Sequence, residues 1–283
     1  MGLRICFVTP FAWSQPHEVN AHVAGAAEAL RRRGHEVTIL APSTRARDLL
    51  AGRRALQRGT AAEVVAIGPA IPISRRTRMG VPVGVRANLR LALGAGGYDV
   101  VHGFEPGLPS LSYLALVATD ALTAATFFSP DRLSYPPRRS RRDRLRTRVD
   151  ALLATSPETA EAARERFEGD YTLIPLGVDT DRFRPGRKRR LVAVELEASG
   201  RAVTKAVLRL LRERPEWEVA LLHTKPLGFR PAIPRAVRAR THVRLVRRPE
   251  QRAAVLAETA VFVPAPGGEE RLALEAAACG AAI

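Results

Sequence analysis

Near the start of the chain, apolar and polar positions follow the period of a strand, then of a helix, then of a strand. The run RICFVTP, residues 4–10, is almost continuously apolar, which is typical of a strand buried in a parallel sheet. The apolar residues that follow have helical spacing, at Val19, Val23, Ala26 and Leu30. They predict an amphipathic helix that ends at Gly34. The run HEVTILAP, residues 35–42, predicts a second strand. We therefore expect a βαβ unit here.

The same alternation continues along the chain in two series. In the first series the pattern predicts strands at 62–68, 99–104, 122–128 and 151–156, and helices at 109–120 and 157–167. In the second it predicts strands at 189–196, 217–223, 242–247 and 261–265, and helices at 202–214 and 249–260. Alternating elements of this kind indicate the α/β class, with parallel sheets covered by helices on both faces. The predicted domains are 1–173 and 189–283, and the turn-rich, charged segment 174–188 is the predicted linker.

The composition of the chain bears on its cellular location and on the charge of its partners. The 283 residues contain no apolar run of the roughly 20 residues that span a bilayer, and the first residues lack the pattern of a signal peptide. Cys6 and Cys279 lie in apolar surroundings and are expected to be reduced core residues. These observations favour a cytoplasmic protein. The net charge of +17 favours anionic partners, but a general preference for arginine is an equal explanation, since only Lys188, Lys205 and Lys225 among 45 basic residues are lysines.

Several motifs together resemble one enzyme family. In order along the chain they are VTPFAWSQPHEVNAHVAGAAEALRRRGHEVTILAP, DVVHGFEPGLPSLSYLAL, ATFF, LLATSPETAE, IPLGVDTDRFRP and EERLALEAAACG. They resemble the GT-B glycosyltransferases, specifically the family-4 branch that includes bacterial phosphatidylinositol mannosyltransferases. The resemblance implies two Rossmann-like domains facing a cleft, the first for the acceptor and the second for a nucleotide-sugar donor. It also implies retaining sugar transfer without a metal or other cofactor.

The resemblance assigns donor-side roles in the second domain. The family carries two glutamates eight positions apart, and Glu275 matches the second, which contacts the ribose. A solvated helix face is the alternative for this residue. Glu269 substitutes for the first glutamate only if the loop is shorter, and otherwise it complements the helix dipole at the start of the last helix. Arg201 falls at the family's phosphate-binding lysine.

On the acceptor side, the resemblance points to residues in the first domain. His102 and Glu105 match an H-x-x-E-P loop that follows a strand. Asn20 and His22 begin the first helix on the expected acceptor side, with a structural role as the alternative for His22.

The chain departs from the family pattern at several of the same sites. His17 and Glu18 replace a Gly-Gly pair in the first loop, and a glutamate there would repel a diphosphate by roughly 1–4 kcal/mol. Phe128 stands where close relatives carry a histidine at the reacting sugar, and a phenyl ring has no proton to transfer. In the second domain, an ungapped count puts Glu195 and Leu196 at the family's Gly-Arg, although a shift would bring residues 199–201 there instead. The same count puts Gly267 at the first glutamate.

Two basic stretches, 73–93 and 138–148, bear on partners. The second has seven arginines in eleven residues. In relatives that glycosylate lipids, basic surface on this domain docks the enzyme on anionic membranes, so the resemblance makes both stretches candidates for such docking. A solvated helix face or a disordered loop explains them equally well. A low aromatic content of 5% and the lack of a nucleic-acid motif argue against nucleic-acid binding.

Two functional hypotheses follow from these observations. One is a glycosyltransferase that transfers a hexose from a nucleotide-sugar to a lipid-linked or other membrane-proximal acceptor, at a location that is cytoplasmic or membrane-associated. The other is a catalytically inactive relative that serves as a binding or scaffolding subunit. The chain stops as a new strand begins, which leaves the second sheet incomplete, so we expect either a fragment or a protein partner that covers the sheet edge.

Overall fold

A computed structural model describes residues 2–59, 62–72, 78–80, 84–224 and 227–283. The chain divides into two compact units, residues 1–176 and 177–283. The division falls inside the segment 174–188 that the sequence marks as a linker. Each unit has its own sheet and its own apolar core, and each is described separately below.

The described part of the first unit contains an eight-stranded sheet in the order β4-β3-β2-β1-β5-β6-β7-β8. Its strands are β1 Arg4–Val8, β2 Glu36–Ser43, β3 Val64–Pro72, β4 Arg78–Gly80, β5 Val100–Phe104, β6 Leu122–Phe127, β7 Ala151–Ala154 and β8 Tyr171–Leu173. All neighbouring strands are parallel except β3 and β4. The strand order reverses between β1 and β5, and ligands of such sheets bind where the order reverses, at the carboxyl ends of the strands.

Helices cover both faces of this sheet, and they are α1 Glu18–Arg32, α2 Ala46–Arg58, α3 Arg86–Gly96, α4 Leu111–Ala118, α5 Arg139–Arg146 and α6 Pro157–Arg164. The predicted α1 is confirmed, since Val19 and Val23 are fully buried and Gly34 adopts a left-handed φ of 86° just beyond the helix. The predicted cap of α6 is also confirmed, because the Ser156 hydroxyl accepts the Thr159 N–H at 3.1 Å.

The two basic stretches differ in how far the structure describes them. The stretch 138–148 contains α5, so the alternative of a disordered loop is wrong. Its arginines are mainly exposed, and Leu145 is buried against the core. Within 73–93, residues 73–77 and 81–83 lie outside the described residues, and α3 begins at Arg86.

Helix α2 lies unusually close to β3 at one glycine. A Cβ atom added to Gly52 would lie 2.3 Å from the Ala66 carbonyl oxygen, a backbone atom that cannot move aside. Gly25 in α1 has no atom within 4 Å of the same position.

We expect Gly52→Ala to lower the free energy of unfolding by about 1–3 kcal/mol, because the helix must move away from the strand. The matched change Gly25→Ala should raise it by about 0.5–1 kcal/mol, since alanine favours the helix and meets no obstacle. Urea unfolding of both variants and the wild type measures the difference. Equal effects of the two substitutions would contradict the close approach at Gly52.

The described part of the second unit has a four-stranded parallel sheet in the order β11-β10-β9-β12. Its elements are β9 Leu191–Glu195, α7 Arg201–Glu213, β10 Glu218–His223, β11 Thr241–Leu245, α8 Pro249–Glu258, β12 Val261–Val263 and α9 Glu270–Ala278. Ala282 forms a parallel bridge with Val261, so the last residues begin to pair beside β12 as the sequence suggests.

Together the two sheets confirm the predicted α/β class with two Rossmann-like domains. Cys6 and Cys279 are both buried and unpaired. Within the part of the chain that the structure describes, none of the helices has the length and apolar character needed to cross a membrane.

Candidate functional site

In the first unit, the loops after β1, β5 and β6 meet at the carboxyl edge of the sheet through one arginine. Arg132 follows β6 in a short 3₁₀ turn. Its Nη1 donates to Glu105 Oε1 at 3.2 Å, and its Nη2 donates to Glu18 Oε1 at 2.5 Å. The guanidinium also lies 5.4 Å from the centre of the Phe11 ring. Arg132 therefore ties three loops together at the strand-order reversal, where a ligand of this fold is expected.

The predicted acceptor-side residue Asn20 is 6% exposed and is engaged with the protein itself. Its Oδ1 accepts the Thr9 hydroxyl at 2.7 Å. Its Nδ2 donates to the carbonyl oxygens of Phe11 and Ala12 at 3.4 and 3.1 Å. In this arrangement Asn20 orders the loop that follows β1.

His17 and Glu18, where the resemblance implies a Gly-Gly pair, fill the first loop with side chains. His17 caps α1, because its Nδ1 accepts the Val19 N–H at 3.2 Å, and its ring stacks on Phe11 with 3.5 Å between the centroids. Glu18 is 43% exposed and pairs with Arg132. The charge of Glu18 that would repel a diphosphate is therefore balanced inside the protein.

Glu105 has a buried carboxyl group of which, within the described part of the chain, only one oxygen is hydrogen-bonded. Its backbone has a φ of 52° and its side chain is fully buried. Oε1 accepts the Phe128 N–H at 3.1 Å as well as Arg132, whereas Oε2 has no hydrogen-bond partner among the described residues. Burial raises the pKa of Glu105 to about 8 and outweighs the opposite effect of Arg132. The group is therefore mainly protonated at neutral pH.

Aromatic rings surround the two predicted acceptor-side histidines. His102 Nε2 lies 2.7 Å from the Thr126 hydroxyl, and its ring stacks on Phe104 at 4.3 Å. Burial and the neighbouring His22 lower the pKa of His102 to about 3, so its imidazole is neutral at physiological pH. The ring of His22 meets Phe128 edge-on at 5.1 Å. The structure thus brings His22, His102 and Phe128 into one cluster.

In the second unit, a carboxylate occupies the loop between β12 and α9. Glu195 ends β9 and is 3% exposed. Its Oε2 accepts the Ala265 N–H at 3.0 Å and its Oε1 accepts the Glu269 N–H at 2.7 Å. A Cβ atom on Gly268 would lie 1.9 Å from Oε2, so a larger residue at this position would require the Glu195 side chain to move. Burial raises the pKa of Glu195, partly offset by the two backbone N–H groups.

The other residues near this loop take separate positions. Leu196 is buried in the apolar core, so it offers no contact to a phosphate. Arg201 begins α7, and its guanidinium lies 4.6 Å from the centre of the Phe229 ring. Gly267 has a left-handed φ of 65° that shapes the loop. Glu269 is the residue that precedes α9, and its carboxylate accepts the Thr224 hydroxyl at 2.8 Å.

Glu275, the predicted ribose contact, is fully buried by two arginines. Arg252 binds both carboxylate oxygens, with Nε–Oε2 and Nη2–Oε1 distances of 2.5 and 2.8 Å. Arg271 Nε donates to Oε1 at 3.0 Å. The alternative of a solvated helix face is therefore wrong for Glu275.

Sequence reasoning missed the two arginines that organise these sites, Arg132 and Arg252. Neither belongs to a motif, and the chain has many other arginines of equal appearance. A weak signal exists for Arg132, because it lies in a loop that follows a predicted strand at the ligand-binding edge.

The sequence of the chain is similar to that of known glycosyltransferases. The sequence profile of Glycosyltransferase Family 4 matches residues 19–182. The chain is 28% identical to the phosphatidyl-myo-inositol mannosyltransferase of Propionibacterium freudenreichii subsp. shermanii, over 99% of this chain and 76% of that protein. It is 34% identical to the protein of the same name from Mycolicibacterium smegmatis, over 44% of this chain and 30% of that protein.

Solved structures of low sequence identity share the fold. An α-glucosyltransferase in complex with UDP and a 13-mer DNA has a TM-score of 0.60 at 10% identity, over 99% of this chain and 79% of that one. The glycosyltransferase of kitacinnamycin has a TM-score of 0.55 at 17% identity, with the same two coverages. The likeness to these GT-B glycosyltransferases supports the fold and does not identify a substrate.

Proposed function

Because the chain belongs to glycosyltransferase family 4, we propose that it transfers a hexose from a nucleotide-sugar to a lipid-linked or other membrane-proximal acceptor, with retention of configuration. The observation that carries this proposal is the alignment with a phosphatidyl-myo-inositol mannosyltransferase over 99% of the chain. The carboxyl-edge loops held by Arg132 in the first unit suit an acceptor, since they lie where the strand order reverses.

The donor would bind in the second unit without a metal ion. Backbone N–H groups of the loop before α9, which now donate to Glu195, would donate to phosphate after that carboxylate moves away, and Arg201 at the start of α7 adds a positive charge. Glu269 would contact the sugar after it separates from Thr224. Glu275 would contact the ribose after it separates from Arg252 and Arg271.

The exposed arginines of α5 support a location at the membrane surface. Each cation close to an anionic bilayer contributes about 1 kcal/mol. The protein in this proposal is cytoplasmic and docks on the membrane through the first unit, where α5 lies.

The test is turnover with lipid present. The protein is incubated with GDP-, UDP- and ADP-linked hexoses and with vesicles that contain phosphatidylinositol. We expect release of a nucleoside diphosphate with one donor and a lipid product whose anomeric configuration, read by NMR, matches that of the donor. Glu275→Gln should reduce this turnover at least tenfold. The absence of release with every donor, in a protein shown to be folded, would sink the proposal.

A second function, that of a non-catalytic binding or scaffolding subunit, is favoured by the state of the two sites. Phe128 stands where relatives carry a proton-bearing histidine, and Glu195 occupies N–H groups that would meet a phosphate. Removal of one charge-stabilising group from an active site can cost a few kcal/mol of transition-state stabilisation. Turnover that Glu275→Gln abolishes would rule out this second function.

A further inference from the structure

We infer that Glu195 is an internal competitor for the phosphate groups of the nucleotide-sugar, and that its carboxylate sets the donor affinity of the second unit. The site is the Glu195 cradle, defined as the backbone N–H groups of Ala265 and Glu269 together with the bare Cα of Gly268. The inference rests on the proposed function for the identity of the ligand, a nucleoside diphosphate.

The geometry of the cradle is that of a bound anion. Both oxygens of Glu195 are hydrogen-bonded to main-chain N–H groups, at 3.0 and 2.7 Å. The Glu269 N–H immediately precedes α9, and the first N–H groups of a helix lack partners within the helix. Such groups, at the positive end of the helix dipole, bind phosphate in many proteins. The side chain of Glu195 makes the contacts that a phosphate oxygen would make.

The surroundings of the carboxylate explain why it can be displaced. Glu195 is 3% exposed, and among the described residues no arginine, lysine or histidine forms an ion pair with it. Its charged neighbours, Glu269 and Glu197, are acidic. A buried carboxylate without a cation is held at a cost of several kcal/mol. Glu275 in the same unit is different, because two arginines bind it.

The Glu195 carboxylate lies close against the backbone of Gly268. The backbone of Gly268 approaches so closely that an added Cβ would lie 1.9 Å from Oε2. A phosphate group that replaces the carboxylate gains the same two hydrogen bonds and carries more negative charge, so it profits more from the helix dipole. The Glu195 carboxylate, which is part of the chain, and a phosphate group of the donor therefore compete for the same two N–H groups.

The experiment measures binding of GDP, UDP and inorganic pyrophosphate by calorimetry to four forms of the full chain. These forms are the wild type, Glu195→Ala, Glu195→Gln and Glu197→Ala. Glu197→Ala is the matched control, because it removes the same charge two positions away and leaves the cradle intact. We expect Glu195→Ala to tighten binding of at least one nucleoside diphosphate about tenfold or more, and Glu197→Ala to change it less than about threefold.

Two outcomes overturn the inference. One is equal binding by the wild type and Glu195→Ala. The other is an equal gain from Glu195→Ala and Glu197→Ala, which would be an effect of net charge. If circular dichroism shows that Glu195→Ala is unfolded, Glu195→Gln replaces it in the test, since glutamine keeps the side-chain volume and removes the charge. The inference is then overturned if Glu195→Gln binds every nucleoside diphosphate less than about threefold more tightly than the wild type.

These outcomes are distinct from failure of the proposed function. If the wild type transfers no sugar but Glu195→Ala binds a nucleoside diphosphate tightly, hexose transfer fails and the inference stands. If the wild type transfers sugar and neither Glu195 variant binds the nucleotide more tightly, hexose transfer stands and the inference about Glu195 fails.

Discussion

Replacing Arg252 with alanine is expected to lower the free energy of unfolding by about 3–5 kcal/mol, because a buried carboxylate then loses its main partner. Arg252 is 8% exposed and binds both oxygens of Glu275, which is fully buried. Its guanidinium also lies 6.0 Å from the centre of the buried Phe183 ring. Arg271 remains beside Glu275 in the variant, but it binds only Oε1. Urea unfolding measures the loss.

The control for this prediction is an arginine with two exposed ion pairs. Arg189 contacts Glu218 and Glu258, and its side chain is 53% exposed. Arg189→Ala should lower the free energy of unfolding by less than about 1 kcal/mol, since exposed pairs contribute little. The double change Arg252→Met with Glu275→Met should recover part of the loss, because no buried carboxylate remains, although Arg271, whose side chain is 20% exposed, also loses its partner. A loss of under 1 kcal/mol for Arg252→Ala would contradict the burial of Glu275.

The second large effect is a loss of stability with rising pH that depends on Glu105. Burial raises its pKa to about 8 in the folded protein, above the ordinary value of 4.5 for a glutamate side chain. The folded state therefore binds the proton more tightly than the unfolded state, and stability is greatest below the unfolded pKa. It falls as the pH rises through the window between the two pKa values, by up to about 1.4 kcal/mol per pH unit.

The measurement is the difference in unfolding free energy between the wild type and Glu105→Gln at several pH values from 5 to 8. The glutamine retains an oxygen that can accept the Phe128 N–H, and it does not ionise in this range. We expect the wild type to lose stability relative to the variant by several kcal/mol from the acidic to the alkaline end. A difference that is constant across the range would show that Glu105 is ionised throughout and fully balanced by Arg132.

The sequence predicted those elements whose residues carry a strong apolar period. β1 and α1 are clear because their apolar residues are buried in the core. The apolar pattern does not predict α2, and it leaves a helix as one of two alternatives for α5, because a helix with many arginines and one narrow apolar face gives a weak periodic signal. Their existence depends on contacts with the sheet, such as those of Gly52 and Leu145.

The sequence by itself determined the α/β class, the two series of strands and helices, and the family to which the motifs point. Motif spacing, a property of the chain alone, also points to Glu18 and Phe128 as departures from the family pattern and, by an ungapped count, to Glu195. Strands and helices can be predicted from the sequence because the spacing of apolar residues along a short segment shows which face of that segment is buried.

Only the tertiary structure decided which charges are paired. Arg132 joins residues that lie 27 and 114 positions away, and the Glu195 carboxylate meets N–H groups 70 and 74 positions away. With 45 basic residues available, no local pattern distinguishes Arg132 or Arg252 from the rest. The strength of an ion pair depends on distance and burial, and both are set by how the loops fold back on the sheet.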